Sequence, residues 1–388
     1  GIVMKRILCV FLKYPEPGCV KTRLAESLGD SGAAEVYRRM VCEVLLKARE
    51  AGPDRICICF SPEEKERQIK DWLDPWIRDF PGEVTFAAQA DGDLGNRLQK
   101  AAEDIFVKDP DSAVLIIGTD CLEIDRLSLQ TAWQALENEQ TDVVLGPAKD
   151  GGYYLMGLCE PVPALFDDIS WSTAQVFQQT LERAAARHKQ CLVLEEKTDI
   201  DTIGEYRQFE DRLRLRPCVF FDRDGVVNES PGEGYVLKKE DFHLSEGIVE
   251  SLQTAREKGY LTVVVTSQKG VGKKLMSPAD LNHIHYNLQK DLAKDHVAFD
   301  AIYSFTGTPD CIYKAKPDPA MIFAAAKELP IDLSRSWLVG DADRDIAMGR
   351  NAELRGTIRI NGDKPVSIDA DHTLQAVFEL PKLLRKVL

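Results

Sequence analysis

Asp222 and Asp224 stand one residue apart at the end of an apolar run, in the stretch Asp222-Arg223-Asp224-Gly225-Val226-Val227-Asn228. On an extended segment two carboxylates so spaced can share a site, one attacking phosphorus while the other handles a proton. Gly225 lets the chain turn sharply just past them. An Asp-x-Asp alone is a weak sign, because acidic loops at strand ends often only solvate or cap. Three later segments add to it. Thr266-Ser267-Gln268 ends a second apolar run with small hydroxyl groups suited to phosphoryl oxygens. Lys316-Pro317 offers a cation that can neutralise phosphate and steady an aspartyl nucleophile. Gly340-Asp341-Ala342-Asp343-Arg344-Asp345 brings carboxylates able to hold Mg²⁺ beside the first pair. Four apt segments, each near a predicted strand end, point to phosphate-ester chemistry.

A second constellation lies in the first half. Lys13-Tyr14-Pro15-Glu16-Pro17-Gly18-Cys19-Val20-Lys21-Thr22-Arg23-Leu24 follows an apolar run and leads toward a helix. A glycine turn with Lys21, Thr22 and Arg23 behind it suits a diphosphate or triphosphate. It lacks the earlier glycine and the Gly-Lys-Thr triplet of a Walker loop. Gly118-Thr119-Asp120 ends a buried run with one carboxylate that can hold a metal bridging phosphates. The turn around Asp150, Gly151 and Gly152 permits close approach of a ligand beside Tyr153 and Tyr154. Asp199 and Asp201 come late, and either complete a metal site with Asp120 or cap the helical stretch 203–209.

The elements that must position these residues are strands and helices in alternation. Apolar runs at 7–12, 56–60, 84–87, 114–117, 143–145 and 191–194 read as strands, and 30–51 and 93–107 have helical spacing. Further strands are predicted at 218–221, 262–266, 301–305 and 337–339. This rhythm predicts an α/β chain with mostly parallel sheets. A polar, Arg-rich stretch at 205–216 predicts a boundary near residue 214, giving domains at 4–213 and 217–388. Gly1 to Val3 precede Met4 and read as additions ahead of a natural start.

A net charge of −14 argues against a nucleic-acid partner. No run is long and apolar enough to span a membrane and no export signal is visible, so a cytoplasmic enzyme is expected. The ten cysteines are scattered and read as reduced core thiols, with Cys57 and Cys59 on one face of a strand. Nothing in the sequence fixes an oligomeric state.

Residues 217–388 resemble the haloacid dehalogenase superfamily, and more closely its branch of histidinol-phosphate and heptose-bisphosphate phosphatases. The likeness rests on the four segments above together with Gly234-Tyr235-Val236 and Lys316-Pro317-Asp318-Pro319. The resemblance implies a Rossmannoid domain with Asp222 as nucleophile, Asp224 as general acid and then base, and Thr266 as a phosphate-binding hydroxyl. Ser267 and Gln268 would sit by the substrate and Lys316 would be the charge-neutralising lysine. Mg²⁺ would be held by Asp222, Asp224, Asp341 and Asp345. The branch often carries a zinc loop of three cysteines and a histidine before the lysine motif. Residues 304–315 contain only Cys311, so zinc is not expected. Lys269, Lys273 and Lys274 either reach a second anionic group or form a solvated loop.

Residues 5–210 resemble GT-A-fold, nucleotide-diphospho-sugar transferase-like proteins, a family similar in turn to phospholactate guanylyltransferases and molybdenum cofactor nucleotidyltransferases. Gly92-Asp93-Leu94-Gly95-Asn96-Arg97 and Trp171-Ser172-Thr173 join the earlier segments in carrying it. The resemblance implies Lys21, also catalytic, and Arg23 on nucleotide phosphates. It places Gly18, Thr22, Asp93, Arg97, Asp150, Gly151 and Gly152 around the nucleotide, and Asp120 with Asp201 on Mg²⁺ or Mn²⁺. Together the halves imply a bifunctional enzyme in which the first domain couples an NTP to a phosphorylated sugar, polyol or phosphonate and the second is a Mg²⁺-dependent phosphatase. The alternatives for the first domain are glycosyl transfer from a nucleotide sugar and a non-catalytic nucleotide-binding module.

Overall fold

The computed structural model describes residues 3–388. Gly1 and Ile2, part of the segment expected to precede the natural start, lie outside the described residues. The chain forms two compact α/β units, one of the residues up to Asp74 with Gly82–Leu213, the other of Pro75–Pro81 with Arg214–Leu388. Residues 75–81 thus depart from the expected first domain. Asp79 accepts the backbone N–H of Ile302 at 2.9 Å, an edge-strand donor that would otherwise lack a protein partner in that sheet.

In the first unit β1 (Lys5–Lys13), β2 (Arg55–Ser61), β3 (Glu83–Ala88), β4 (Ser112–Ile117), β5 (Val143–Pro147), β6 (Tyr153–Leu158) and β7 (Cys191–Val193) form one sheet in the order β3-β2-β1-β4-β6-β5-β7. Only β6 runs antiparallel to its neighbours. It was missed in the sequence. The Gly151-Gly152 turn closes a hairpin, with the Ala148 N–H donating to the Gly152 carbonyl at 2.9 Å, and the apolar run after it is the return strand. Ile7 to Val10 of β1 are fully buried, the unbroken apolar run required of a strand covered on both faces. The helix Thr22–Ala51 is broken at Gly29, whose φ of 75° explains why helical spacing became clear only from Asp30. Cys9, Cys57 and Cys59 do share one buried face. Cys19 is exposed, so the thiols are not all in the core.

The second unit contains β8 (Cys218–Phe221), β9 (Leu261–Ser267), β10 (Ala301–Phe305), β11 (Trp337–Gly340), β12 (Gly356–Ile360) and β13 (His372–Leu374), all parallel in the order β10-β9-β8-β11-β12-β13. β12 escaped prediction because Arg359 interrupts its apolar pattern. That guanidinium is buried and paired with Asp343 at 2.7 Å.

Both sheets wind alike. Each grows outward from its first strand on one side, then returns to that strand's other side, at β4 in one and β11 in the other. Such a reversal leaves a crevice at the carboxyl ends of the two central strands, where ligands bind in open α/β sheets. Among the described residues no helix is long and apolar enough to cross a membrane.

Candidate functional site

In the second unit the crevice falls between β8 and β11. Asp222 follows β8 directly, its N–H donating to the Val339 carbonyl at 2.9 Å, and Asp341 follows β11. Asp345 lies in the first turn of the helix Asp343–Asn351 and accepts N–H bonds from Asp341 and Ala342 at 3.2 and 3.1 Å. The carboxylates of Asp222, Asp341 and Asp345 are all buried, and oxygens of the three lie within 4.8 Å of one another. Lys316 Nζ bridges Asp222 Oδ1 at 2.9 Å and Asp345 Oδ1 at 2.7 Å, and Lys364 reaches Asp341 Oδ1 at 3.1 Å.

Burial and the Asp345 charge push the Asp222 carboxyl well above its ordinary range, and the same two causes raise Asp341. Burial also opposes ionisation of Asp345, but Lys316 outweighs it and holds Asp345 below the usual carboxylate range. Lys316 itself is raised, since attraction to Asp222 and Asp345 exceeds the desolvation that lowers it. Three buried acids against two lysines leave mutual repulsion that a divalent cation would relieve, so the set fits Mg²⁺.

Gly225 belongs to this construction. Its φ is +88°, and a Cβ there would stand 2.1 Å from Asp341 Oδ2. Gly225→Ala is therefore expected to cost about 1–3 kcal/mol from backbone strain alone and to weaken Mg²⁺ binding by displacing Asp341. Melting temperatures with and without Mg²⁺ check both effects.

Asp224 turns away from the acid trio. Its Oδ1 accepts from Arg223 Nη2 at 2.9 Å, Arg223 Nε at 3.3 Å and Asn228 Nδ2 at 2.9 Å, while Oδ2 accepts from Gln268 Nε2 at 3.1 Å. Its side chain, expected as a metal ligand, stands outside the cluster of Asp222, Asp341 and Asp345, and the donors on it compete for the lone pairs an ion would need. Burial raises the Asp224 carboxyl, but Arg223 and these amides more than offset it, leaving it below the usual range. Gln268 also donates to Thr266 Oγ1 at 2.9 Å, which lines up the end of β9 with Asp224. Ser267, at the last position of β9, is half-buried.

In the first unit a cleft of about 860 Å³ opens at the ends of β1 and β4. Lys21, Thr22, Arg23, Arg97, Asp120, Asp150, Gly152, Asp199 and Asp201 line it. Gly18, Asp93 and Gly151 do not. Asp93 caps the helix Leu94–Lys108 by accepting the Asn96 N–H at 2.9 Å, and Gly151, with φ of +93°, is pressed against the backbone of Ala174. Gly18 also has a positive φ, +85°, which shapes the loop.

Lys21 differs from its expected role. Its Nζ is paired with Asp120 Oδ1 at 2.6 Å and Asp201 Oδ1 at 3.1 Å and donates to the Ile200 carbonyl at 2.6 Å. An ammonium has three donors, so Lys21 is fully engaged by the protein. The metal-capable group differs too. It is Asp150, Asp199 and Asp201, whose oxygens lie within 4.8 Å of one another; Asp120 is outside this group and is joined to it through Lys21, which also pairs with Asp201. Burial, then repulsion from Asp120, Asp150 and Asp201, pushes Asp199 up to about 8. That repulsion makes this trio, like the first, fit a divalent cation.

Several residues at the sites carried no assigned role in the sequence. Arg223 and Asn228 stand inside the motif that was singled out, whereas His285, Lys364 and Gln89 had no signal. Gln89 donates to the Leu12 and Cys59 carbonyls at 3.2 and 3.1 Å and presents its Oε1 to Arg97 at 3.0 Å, aiming that guanidinium at the cleft.

Comparison with known proteins matches residues 166–353 to a family of haloacid dehalogenase-like hydrolases. Residues 44–173 match a family described as an uncharacterized protein conserved in bacteria (DUF2064). The chain is 31% identical over 185 residues to a D-glycero-beta-D-manno-heptose-1,7-bisphosphate 7-phosphatase from Pasteurella multocida, covering 44% of this chain and 98% of the relative. To the same-named protein of Helicobacter pylori it is 35% identical over 149 residues, covering 38% and 84%. Among solved structures, a provisionally named nucleotide-diphospho-sugar transferase from Desulfovibrio desulfuricans G20 is 33% identical with a TM-score of 0.47, covering 54% of this chain and 89% of its own. The D,D-heptose 1.7-bisphosphate phosphatase of B. bronchiseptica, complexed with magnesium and phosphate, is 23% identical with a TM-score of 0.39, covering 44% and 98%. Through the second unit the chain belongs to the haloacid dehalogenase-like hydrolases and is an enzyme of their phosphatase kind.

Proposed function

We propose that the second unit removes a phosphate ester from a sugar bisphosphate-like metabolite through a phosphoaspartate on Asp222. The observation that carries this is the division of labour at the end of β8: Asp222 is clamped by Lys316 beside Asp345, while Asp224 is held on the other side by hydrogen bonds. Asp222, ionised once positive charge is bound beside it, attacks phosphorus; the P–O bond to the sugar breaks, and the departing alkoxide takes from Asp224 the proton that the bound phosphate monoester monoanion has passed to it. Asp224, now a base, takes a proton from the water that attacks the aspartyl phosphate, so inorganic phosphate leaves and Asp222 is restored. Asp222, Asp341 and Asp345 would hold Mg²⁺, which when bound supplies the positive charge that lets an anionic phosphate approach. The named relatives make a heptose bisphosphate the first substrate to try.

For the first unit our reading is nucleotidyl transfer. A phosphate or phosphonate oxygen of the acceptor attacks the α-phosphorus of an NTP in line, the bond to the β-phosphate oxygen breaks, and pyrophosphate leaves. Arg23, Thr22 and Arg97 would meet the anionic groups, with Mg²⁺ or Mn²⁺ on Asp150, Asp199 and Asp201 supplying charge neutralisation. Lys21 holds Asp120 and Asp201 in place. One observation favours glycosyl transfer as a second reading: two acids of the trio, Asp199 and Asp201, form an Asp-x-Asp, the arrangement by which many GT-A glycosyltransferases hold Mn²⁺. NTPs and phosphorylated sugars as substrates imply a cytoplasmic enzyme.

The test is a mass-spectrometric screen of the whole chain with Mg²⁺, each common NTP, and a panel of sugar phosphates, bisphosphates and phosphonates. A nucleotide-linked product with pyrophosphate release supports nucleotidyl transfer. Transfer from a radiolabelled nucleotide sugar without pyrophosphate supports the second reading, and neither outcome leaves the first unit as a binding module.

The raised Asp199 gives a pH prediction. Below about 8 this carboxyl is protonated in the folded chain, and a cation must displace that proton. Mn²⁺ affinity is expected to rise up to about tenfold per pH unit below that value and level off above it. In metal-free protein the sign for stability is opposite. The folded state keeps a proton that the unfolded one, with its carboxyl at 3.8, has lost, so stability falls as pH rises between those values. Calorimetric Mn²⁺ titrations across that range, with Asp199→Asn beside them, check the first effect. A flat profile in the parent chain would count against it.

A further inference from the structure

Arg223 is fully buried, and a buried guanidinium needs its N–H groups partnered, since it cannot discharge. Nη2 and Nε go to Asp224 Oδ1, and Nη1 lies 3.1 Å from His285 Nε2, on the helix Pro278–Ala293. The Phe242 ring covers the guanidinium, with Cζ 5.4 Å from its centroid. A guanidinium only donates, so the His285 nitrogen facing it carries the lone pair and the ring proton sits on Nδ1. Burial and the Arg223 charge push His285 down to about 3, which keeps the ring a neutral acceptor.

The same contacts differentiate the two oxygens of Asp224. Oδ1 receives Arg223 and Asn228, whereas Oδ2 receives Gln268 alone. An oxygen saturated by donors has no lone pair to spare for a proton, so the proton of the acid form is carried on Oδ2. Its direction is set by how firmly Arg223 pins Oδ1, and Arg223 is pinned in turn by His285.

We infer that His285 is a positioning residue for the phosphatase: by accepting from Arg223 it fixes the guanidinium that orients Asp224 Oδ2 toward the departing alcohol. This rests on the reading of Asp224 as proton donor. His285 touches neither substrate nor reacting atoms. Removing its acceptor leaves a buried Nη1 N–H unpaired, and Arg223 then shifts toward another acceptor and takes Asp224 out of line.

The experiment compares kcat/KM for the sugar bisphosphate hydrolysed best in the panel with that for p-nitrophenyl phosphate. This ratio reports steps only up to departure of the alcohol or phenol. An alkoxide needs the proton and p-nitrophenolate does not. His285→Leu is expected to lower kcat/KM for the bisphosphate by about 10- to 100-fold, as for a misplaced general acid, and that for the aryl ester by less than about threefold. His285→Gln, whose Oε1 can replace Nε2 as acceptor, is expected to recover most of the loss. If the leucine variant fails to fold, His285→Asn, polar but too short to reach Arg223, carries the same comparison.

Equal losses on both esters, or no loss on either, overturn the inference while leaving the phosphatase reading intact. A parent chain that hydrolyses neither ester overturns both.

Discussion

Asp222→Asn is expected to reduce phosphate release by about 10⁴-fold or more, because a carboxamide cannot form the aspartyl phosphate. Folding should not suffer. Asp222 is buried beside Asp345 and Asp341, and their repulsion with burial raises its carboxyl well above the ordinary range. A neutral amide of the same shape removes that repulsion, and its oxygen can still accept from Lys316. The metal-free variant should therefore melt at or above the parent's temperature while being inactive. Phosphate release and acid-quench trapping of phosphoenzyme measure the activity, and calorimetry the stability. Residual turnover above about one per cent would mean that another group attacks phosphorus. Any transfer activity of the first unit should be untouched, since no residue of its cleft belongs to the second.

Lys316→Ala is expected to damage both fold and activity. Lys316 is fully buried between Asp222 and Asp345, so its removal strands two carboxylates in the interior. Breaking a buried pair by deleting one partner costs about 3–5 kcal/mol, a fall in melting temperature on the order of 10 °C for a unit of this size. The loss has a recognisable signature. Mg²⁺ held by the same carboxylates would supply positive charge to them, so adding it should raise the melting temperature of the variant more than that of the parent. An unchanged melting temperature in metal-free Lys316→Ala would show that solvent, not Lys316, compensates these acids.

Much of the second site was legible because its chemistry is strung along the chain at strand ends. Asp222, Thr266 and Asp341 each follow or close an apolar run, and adjacency of β9, β8 and β11 brings them together. His285 was not legible, since a histidine on an amphipathic helix gives no sign of what its helix packs against. In the first unit the residue types were legible but not their pairing. Asp120, Asp150 and the Asp199–Asp201 pair come from three separate loops, and only the folded chain decides that Lys21 takes Asp120 and Asp201 while Asp150 and Asp199 cluster with Asp201. Asp93 and Gly151 read as ligand contacts because capping and turn formation use the same residue types as binding does. β6 and β12 were lost for local reasons, one hidden behind a glycine turn and the other by a buried arginine.

The winding shared by the two sheets has a consequence for biosynthesis. Because each crevice lies between its unit's first strand and a strand made later, each site joins residues that leave the ribosome far apart in time: Lys21 meets Asp201, and Asp222 meets Asp345. A nascent chain ending before Asp201 therefore carries neither site, and one ending between Asp201 and Asp345 carries only the first. The acids of each cluster stay in water until the last of them arrives, so the cost of crowding them is met late, when most of the unit's core is already available to bear it.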